Sequence, residues 1–134
     1  MHRIFLARLG GNMMTIALLT LVFLQIKHWY IDFVDQSQAE IQYKGIYGHW
    51  LGISHSAKHG IGTATAVGLT CGPSYWPASI LLGIIDAVIH YHVDWIKKNW
   101  GEPDNQKPTF WAHFGLDQMA HQLTYIGIVA TIVL

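Results

Sequence analysis

The chain has 134 residues; 51% are hydrophobic before its 13 glycines are counted and 12% are charged, where an average soluble chain is roughly 45–50% apolar with glycine included and about 25% charged. Eight basic residues balance eight acidic ones, which removes the net field that would draw nucleic acid and the charge excess of a disordered tail. The single cysteine, Cys71, excludes an internal disulfide and a cysteine-rich zinc module, so metal chemistry falls to the nine histidines and the aspartates.

No charged residue lies between Arg8 and Lys27. The apolar run from Met13 to Leu24 is short for a membrane span, but carried to about Val34 it reaches the roughly 20 residues that a spanning helix needs. Two arginines ahead of an apolar run also fit a secretory signal, yet no small-x-small cleavage pattern follows Leu24, so a retained first helix over 13–34 is expected. A second uncharged stretch, His59 to Ile85, is broken by Gly72, Pro73 and Pro77, which mark a tight turn between helices over 49–69 and 78–98. The polar segment 99–109 reads as a loop, and a last helix covers 110–132. The expected fold is all-α: one domain over 1–134, a four-transmembrane-helix bundle running up-down-up-down.

A soluble four-helix bundle competes with this reading. Against it, the stretches 60–85 and 122–134 lack the polar face of a surface helix. Tryptophans also gather at predicted span ends, with Trp29, Trp50, Trp95, Trp100 and Trp111 at one side and Trp76 at the other, as an interfacial belt places them.

Each predicted span carries a His or Asp pair at i, i+4, which puts both side chains on one helix face. The pairs are His28 with Asp32, His55 with His59, His90 with Asp94, and Asp117 with His121; Asp86 with His90 and His113 with Asp117 extend the stripes. Scattered residues would give roughly one or two such pairs. Because chain direction alternates, all four pairs fall toward the same side. His28, His59, His90 and His121 form one level, and Asp32, His55, Asp94 and Asp117 a second about 6 Å nearer the loops. On the second helix Gly48, Gly52, Gly62 and Ala66 share the histidine face, and small residues there let helices approach closely.

Aspartates near mid-membrane cost about 2.5–3.5 kcal/mol each if unpaired, so they should face inward and be compensated. A structural network, with Lys97 pairing Asp94, would do this. So would a proton or ion path. A metal site is the reading taken forward, since imidazole plus carboxylate suits a divalent transition metal, zinc first and iron or manganese next. The candidate ligands are His28, His55, His59, His90, His121, Asp32, Asp94 and Asp117. His2, His49 and His92 are expected at interfaces or in packing, and Cys71 as filler.

The ordered motifs His28-x-x-x-Asp32 with Gln36, His55-x-x-x-His59, His90-x-x-x-Asp94-x-x-Lys97 and Asp117-Gln118-x-x-His121 resemble the domain of unknown function 3307 family, small bacterial and phage membrane proteins. The resemblance covers about residues 20–130. It implies a shared site at the motif residues and a bacterial inner membrane, in a phage-encoded or cellular protein, and it implies no reaction. Ile31 departs from the pattern, where a small residue is expected, which puts close packing there in question.

The leading functional expectation is a metal-dependent hydrolase acting near the headgroup level, where a bound metal lowers the pKa of water. Asp32, Asp94 and Asp117 would serve as ligands or base, and Lys97 would attract a phosphate or developing negative charge. The lipid bilayer is the expected partner, with a lipid or lipid-linked substrate and, as a further option, other membrane subunits. The competing classes are a small di-iron oxygenase, which should show His-His pairs that this chain lacks, and a non-enzymatic accessory or proton-conducting bundle. Lys44, Lys97, Lys98 and Lys107 on the site side favour a cytoplasmic site, whereas the first helix with Arg3 and Arg8 argues the reverse.

Overall fold

The computed structural model describes the backbone of residues 2–134 and the side chains of residues 12–134; Arg3 and Arg8, used above for orientation, and His2 lie outside the described side chains. The chain is all-α. Helix α1 spans His2–Trp29 and runs on into a wider π-helical turn at Tyr30–Asp35. Ser37 then starts the short helix α2, Gln38–Tyr43, through a reciprocal cap. The Glu40 amide donates to Ser37 Oγ and the Ser37 amide donates to Glu40 Oε2, so two otherwise unpaired donors are satisfied. Helix α3, Trp50–Cys71, opens with the Leu51 amide donating to His49 Nδ1. It ends at Gly72, whose φ of 91° favours a residue without Cβ. One 3₁₀ turn, Pro73–Tyr75, leads into α4, Trp76–Trp100, and α5 covers Pro108–Val133. Prolines in the first turns of α4 and α5 fit a position whose amide has no intrahelical partner.

The four expected helices are present; the last three are slightly longer than their sequence patterns, and α1 begins at His2, 11 residues before the expected start at Met13. Helix α2 and the π turn carry no strong apolar periodicity, and the sequence reading passed over both.

The long helices close a ring of neighbours in the order α1, α3, α4, α5. Adjacent members run antiparallel: Thr20 meets Thr70 while Lys27 meets His59, and His90 meets His121 while Lys97 meets Asp117. The closest backbone approach is between α3 and α4, where a Cβ on Gly60 would lie 2.6 Å from the Gly83 carbonyl oxygen. Gly60 was not among the small residues expected on the histidine face of α3. Gly52 instead faces Lys44, and Gly62 faces Lys27 and Ile31. Ile31 is itself buried, its bulk lying over the space that Gly62 leaves.

Burial is inverted relative to a water-soluble protein. The buried set is mostly polar, including Thr20, His28, His55, His59, Thr63, Asp86, His90, Asp94, Asp117 and His121. A small apolar core of Leu24, Ala66, Val67, Tyr125 and Ile128 lies at the other end of the bundle. Leucine, isoleucine, valine and phenylalanine cover the outside, as do Trp29, Trp50, Trp100 and Trp111. Two segments, Asn12–Asp35 and Pro73–Trp100, are long and apolar enough to cross a membrane. Helices α3 and α5 are of comparable length but are not among the segments that meet this measure.

Candidate metal centre

Because residues four apart share a helix face, the pairs on α1, α3, α4 and α5 project into one space. His28, His59, His90 and His121 close a ring, with consecutive centroids 5.8, 3.6, 4.2 and 5.2 Å apart. The π-helical turn carries Asp32 beneath this ring, and π turns recur at functional sites.

Within the cluster are two groups that could hold a metal ion: Asp32, His55, His59 and His90, and His90, Asp94 and His121. In the first, Asp32 Oδ1 lies 3.1 Å from His55 Nε2, 2.9 Å from His59 Nε2 and 3.7 Å from His90 Nε2, and the last two rings are stacked. His55 and His90 bring their Nε2 atoms to 3.2 Å. Ligands bonded at 2.0–2.1 Å around tetrahedral zinc are separated by about 3.3 Å, so these spacings fit one cation among three imidazoles and a carboxylate. In the second group His90 Nε2 is 3.4 Å from Asp94 Oδ2, and His121 Nε2 is 3.9 Å from Asp94 Oδ1 and 3.4 Å from Asp117 Oδ1. Among the described residues, His90 Nδ1, Asp117 Oδ1 and His121 Nε2 are buried without a hydrogen-bond partner, the last two facing each other as an ion-pair contact at 3.4 Å. Buried polar atoms are ordinarily satisfied, so these three fit a site that takes a further group.

The charges inside the bundle are compensated unevenly. Lys27 donates to Asp86 Oδ2 at 2.7 Å, Lys44 to Asp94 Oδ2 at 3.0 Å and Lys97 to Asp117 Oδ2 at 2.8 Å. The sequence reading paired Lys97 with Asp94. Lys44 takes that place because the turn after α2 lies against the end of α4, where Gly45 packs on Lys98 and accepts from the Asn99 side-chain amide. Asp32 has no lysine or arginine within ion-pairing distance among the described residues; imidazoles alone surround it.

Of the eight predicted ligands, His28 and Asp117 fall outside both groups. The two ring nitrogens of His28 are taken by Gln118 Oε1 at 2.9 Å, the Tyr125 hydroxyl at 3.0 Å and Asp32 Oδ2 at 3.3 Å. Asp117 is held by Lys97 and by the Gln118 amide. His113 does not continue the α5 stripe into the centre, and its Nδ1 accepts from the Glu102 amide in the preceding loop. His49 caps α3, His92 lies on the outer surface against Tyr47, and Cys71 is a half-buried free thiol.

Several participants were missed. Lys27 turns inward to Asp86, contacts His59 through its backbone oxygen and Nδ1, and lies 4.6 Å above the Tyr125 ring. Thr63 donates to Asp86, while Gln36, which the family motif did include, reaches His55. The spacing of Lys27 to His59 across two helices has no sequence signature, but Thr63 lies four residues after His59 and a wider polar template would have included it.

Two cavities open at the loop end, and the first reaches the centre at Asp94. One of about 340 Å³ is walled by Lys44, Lys97, Lys98, Asp94, Gln36 and Glu102 among others. The second, about 330 Å³, is a groove between α4 and α5 that is apolar except at Lys97, His113 and Asp117.

No curated protein and no solved structure matches the chain. Residues 18–134 match the family described as Protein of unknown function (DUF3307), and the chain belongs to that family.

Proposed function

We propose that this chain is an integral membrane protein in which α1, α3, α4 and α5 each cross the bilayer and together hold a divalent transition metal, zinc before iron or manganese. The inverted burial supports the membrane half of this reading. In water, so much exposed Leu, Ile, Val and Phe over a polar interior would be an aggregation surface, whereas lipid solvates it and leaves the polar groups to pair inside.

The observation that carries the metal half is Asp32. It is the one aspartate of the cluster without a lysine, and three Nε2 atoms converge on its oxygen at near-tetrahedral spacing. Three imidazoles and a carboxylate suit zinc by donor type and number. A metal there would acidify a bound water, which makes hydrolysis the reaction class best supported. Asp94 belongs to the second metal group and lines the lysine-walled cavity, a position suited to receiving a proton, and the Asp117–Lys97 pair contributes Lys97 to the same wall.

A second reading, a hydrogen-bonded structural network without metal, is favoured by one contact. Lys27 Nζ lies 3.3 Å from His59 Nδ1, an arrangement in which the ring proton sits on Nε2 and is donated to Asp32. Elemental analysis of detergent-purified protein separates the two. About one or more equivalents of zinc, iron or manganese supports the metal centre, while metal-free protein whose His59→Ala variant loses only stability establishes the network.

A further inference from the structure

The two cavities at the loop end share a wall. Lys97 and Gly101 line both the lysine-walled cavity and the α4–α5 groove, so a single ligand can occupy the two at once, with Lys97 at the junction. Their chemistries differ sharply. The groove is lined by Val93, Ile96, Leu116 and Ala120 on helix faces that point outward from the bundle. The other cavity holds three lysines. Lys44 is matched by Asp94, Lys97 by Asp117, and Glu102 is taken by Lys107. Lys98 has no acidic partner among the described residues, so the surplus charge of that cavity is positive. A cation at Asp94 would release Lys44 from its carboxylate and add to that surplus.

We propose that the site takes an anionic amphiphile, a lipid with a phosphate-bearing head, which places its phosphate in the lysine-walled cavity and an acyl chain in the α4–α5 groove. The proposal rests on the membrane-embedded reading above and names the substrate class for that site. An apolar groove alone would accept any chain, and a lysine-walled cavity alone would accept any small anion. Their shared wall requires both properties in one molecule. The head then lies against Asp94, the carboxylate common to the cavity and to the second metal group.

The test uses the full chain in a non-ionic detergent, titrated with dioctanoyl phosphatidic acid, dioctanoyl phosphatidylcholine and inorganic phosphate, with binding read by thermophoresis and metal content measured on the same preparations. Phosphatidic acid should bind at least about tenfold more tightly than either competitor. Lys98→Ala should weaken it about fivefold, consistent with loss of one charged contact, while Lys98→Arg retains it. Ala120→Phe, or Leu116→Trp should the first fail to fold, should block the groove and weaken phosphatidic acid while leaving phosphate binding unchanged. Equal binding of free phosphate, unaffected by the groove variants, would show an anion site only and overturn the proposal. Equal binding of phosphatidylcholine, unaffected by Lys98→Ala, would show a chain groove only and overturn it as well. Metal-loaded protein that binds no phosphatidic acid defeats the proposal and leaves the metal reading standing. Metal-free protein that binds it as described does the reverse.

Discussion

His55 and His90 meet Nε2 to Nε2 at 3.2 Å, on helices that are neighbours in the bundle. In that contact one nitrogen carries a proton and donates it to the lone pair of the other. A divalent cation held there would take a lone pair from each ring, and binding would release that proton.

His90→Ala should therefore remove most of the metal, because His90 belongs to both candidate groups. His121→Ala should affect only the second group, and His92→Ala, on the outer surface, neither. Mass-spectrometric metal stoichiometry in detergent reads all three. In each metal-binding form the affinity should fall as pH is lowered, since protons and metal compete for the same imidazoles.

The buried pair Lys27–Asp86 predicts a large asymmetry between single and double variants. Lys27→Met leaves Asp86 charged and without its cation, with a cost of about 3–5 kcal/mol. Lys27→Met with Asp86→Leu should recover much of that loss. Thermal unfolding in detergent, taken as a double-mutant cycle, measures the coupling; additive effects would show that the pair does not interact.

Gly60→Ala should lower the melting temperature, because its Cβ would meet the Gly83 oxygen at 2.6 Å and the Ala87 methyl at 2.9 Å, an overpacking that typically costs about 1–3 kcal/mol. Gly127→Ala meets nothing within 4 Å and should leave the temperature unchanged. Equal effects would place the α3–α4 contact elsewhere.

Glu40, at the loop end, gives a pH-dependent prediction. Burial opposes its charge, but hydrogen bonds from Lys58 and from the Ser37 amide and hydroxyl outweigh that and hold the carboxyl below the usual glutamate range. Its stabilising contribution is full above the unfolded value of about 4.3 and is lost as pH falls through the lower folded value. Glu40→Gln keeps the cap geometry and removes the charge. Wild type and variant should thus differ in melting temperature at neutral pH and converge in strong acid. Ser37→Ala should cost about 1 kcal/mol through the lost cap.

The helices and the ring of histidines were legible because both follow from one periodicity: residues four apart share a face, and alternating chain direction sets their depth. That basis put His59 and His90 on one level and Asp32 and His55 on another, and the first metal group draws two residues from each. What the pattern could not supply was the partner of each side chain across the bundle. His28 fits the template as well as His59 does, yet Tyr125 and Gln118 occupy its nitrogens. Lys27 looked like a residue at a helix end, and its long stem carries the charge inward to Asp86. Lys44 lies after a six-residue helix, too short to leave a periodic signal, and so its pairing with Asp94 was assigned to Lys97.

All three inward lysine–aspartate pairs include a residue of α4: Asp86, Asp94 and Lys97. On the membrane reading proposed above, each apolar helix would insert alone, and dispersion contacts among leucines distinguish poorly between one neighbour and another. Three charges on a single helix, answered from α1, from the turn after α2 and from α5, supply the missing address. Helix α4 thus acts as the alignment template of the bundle: a slip of one turn against it would break every pair at once, and the centre takes its geometry from a helix that contributes only His90 and Asp94 to it.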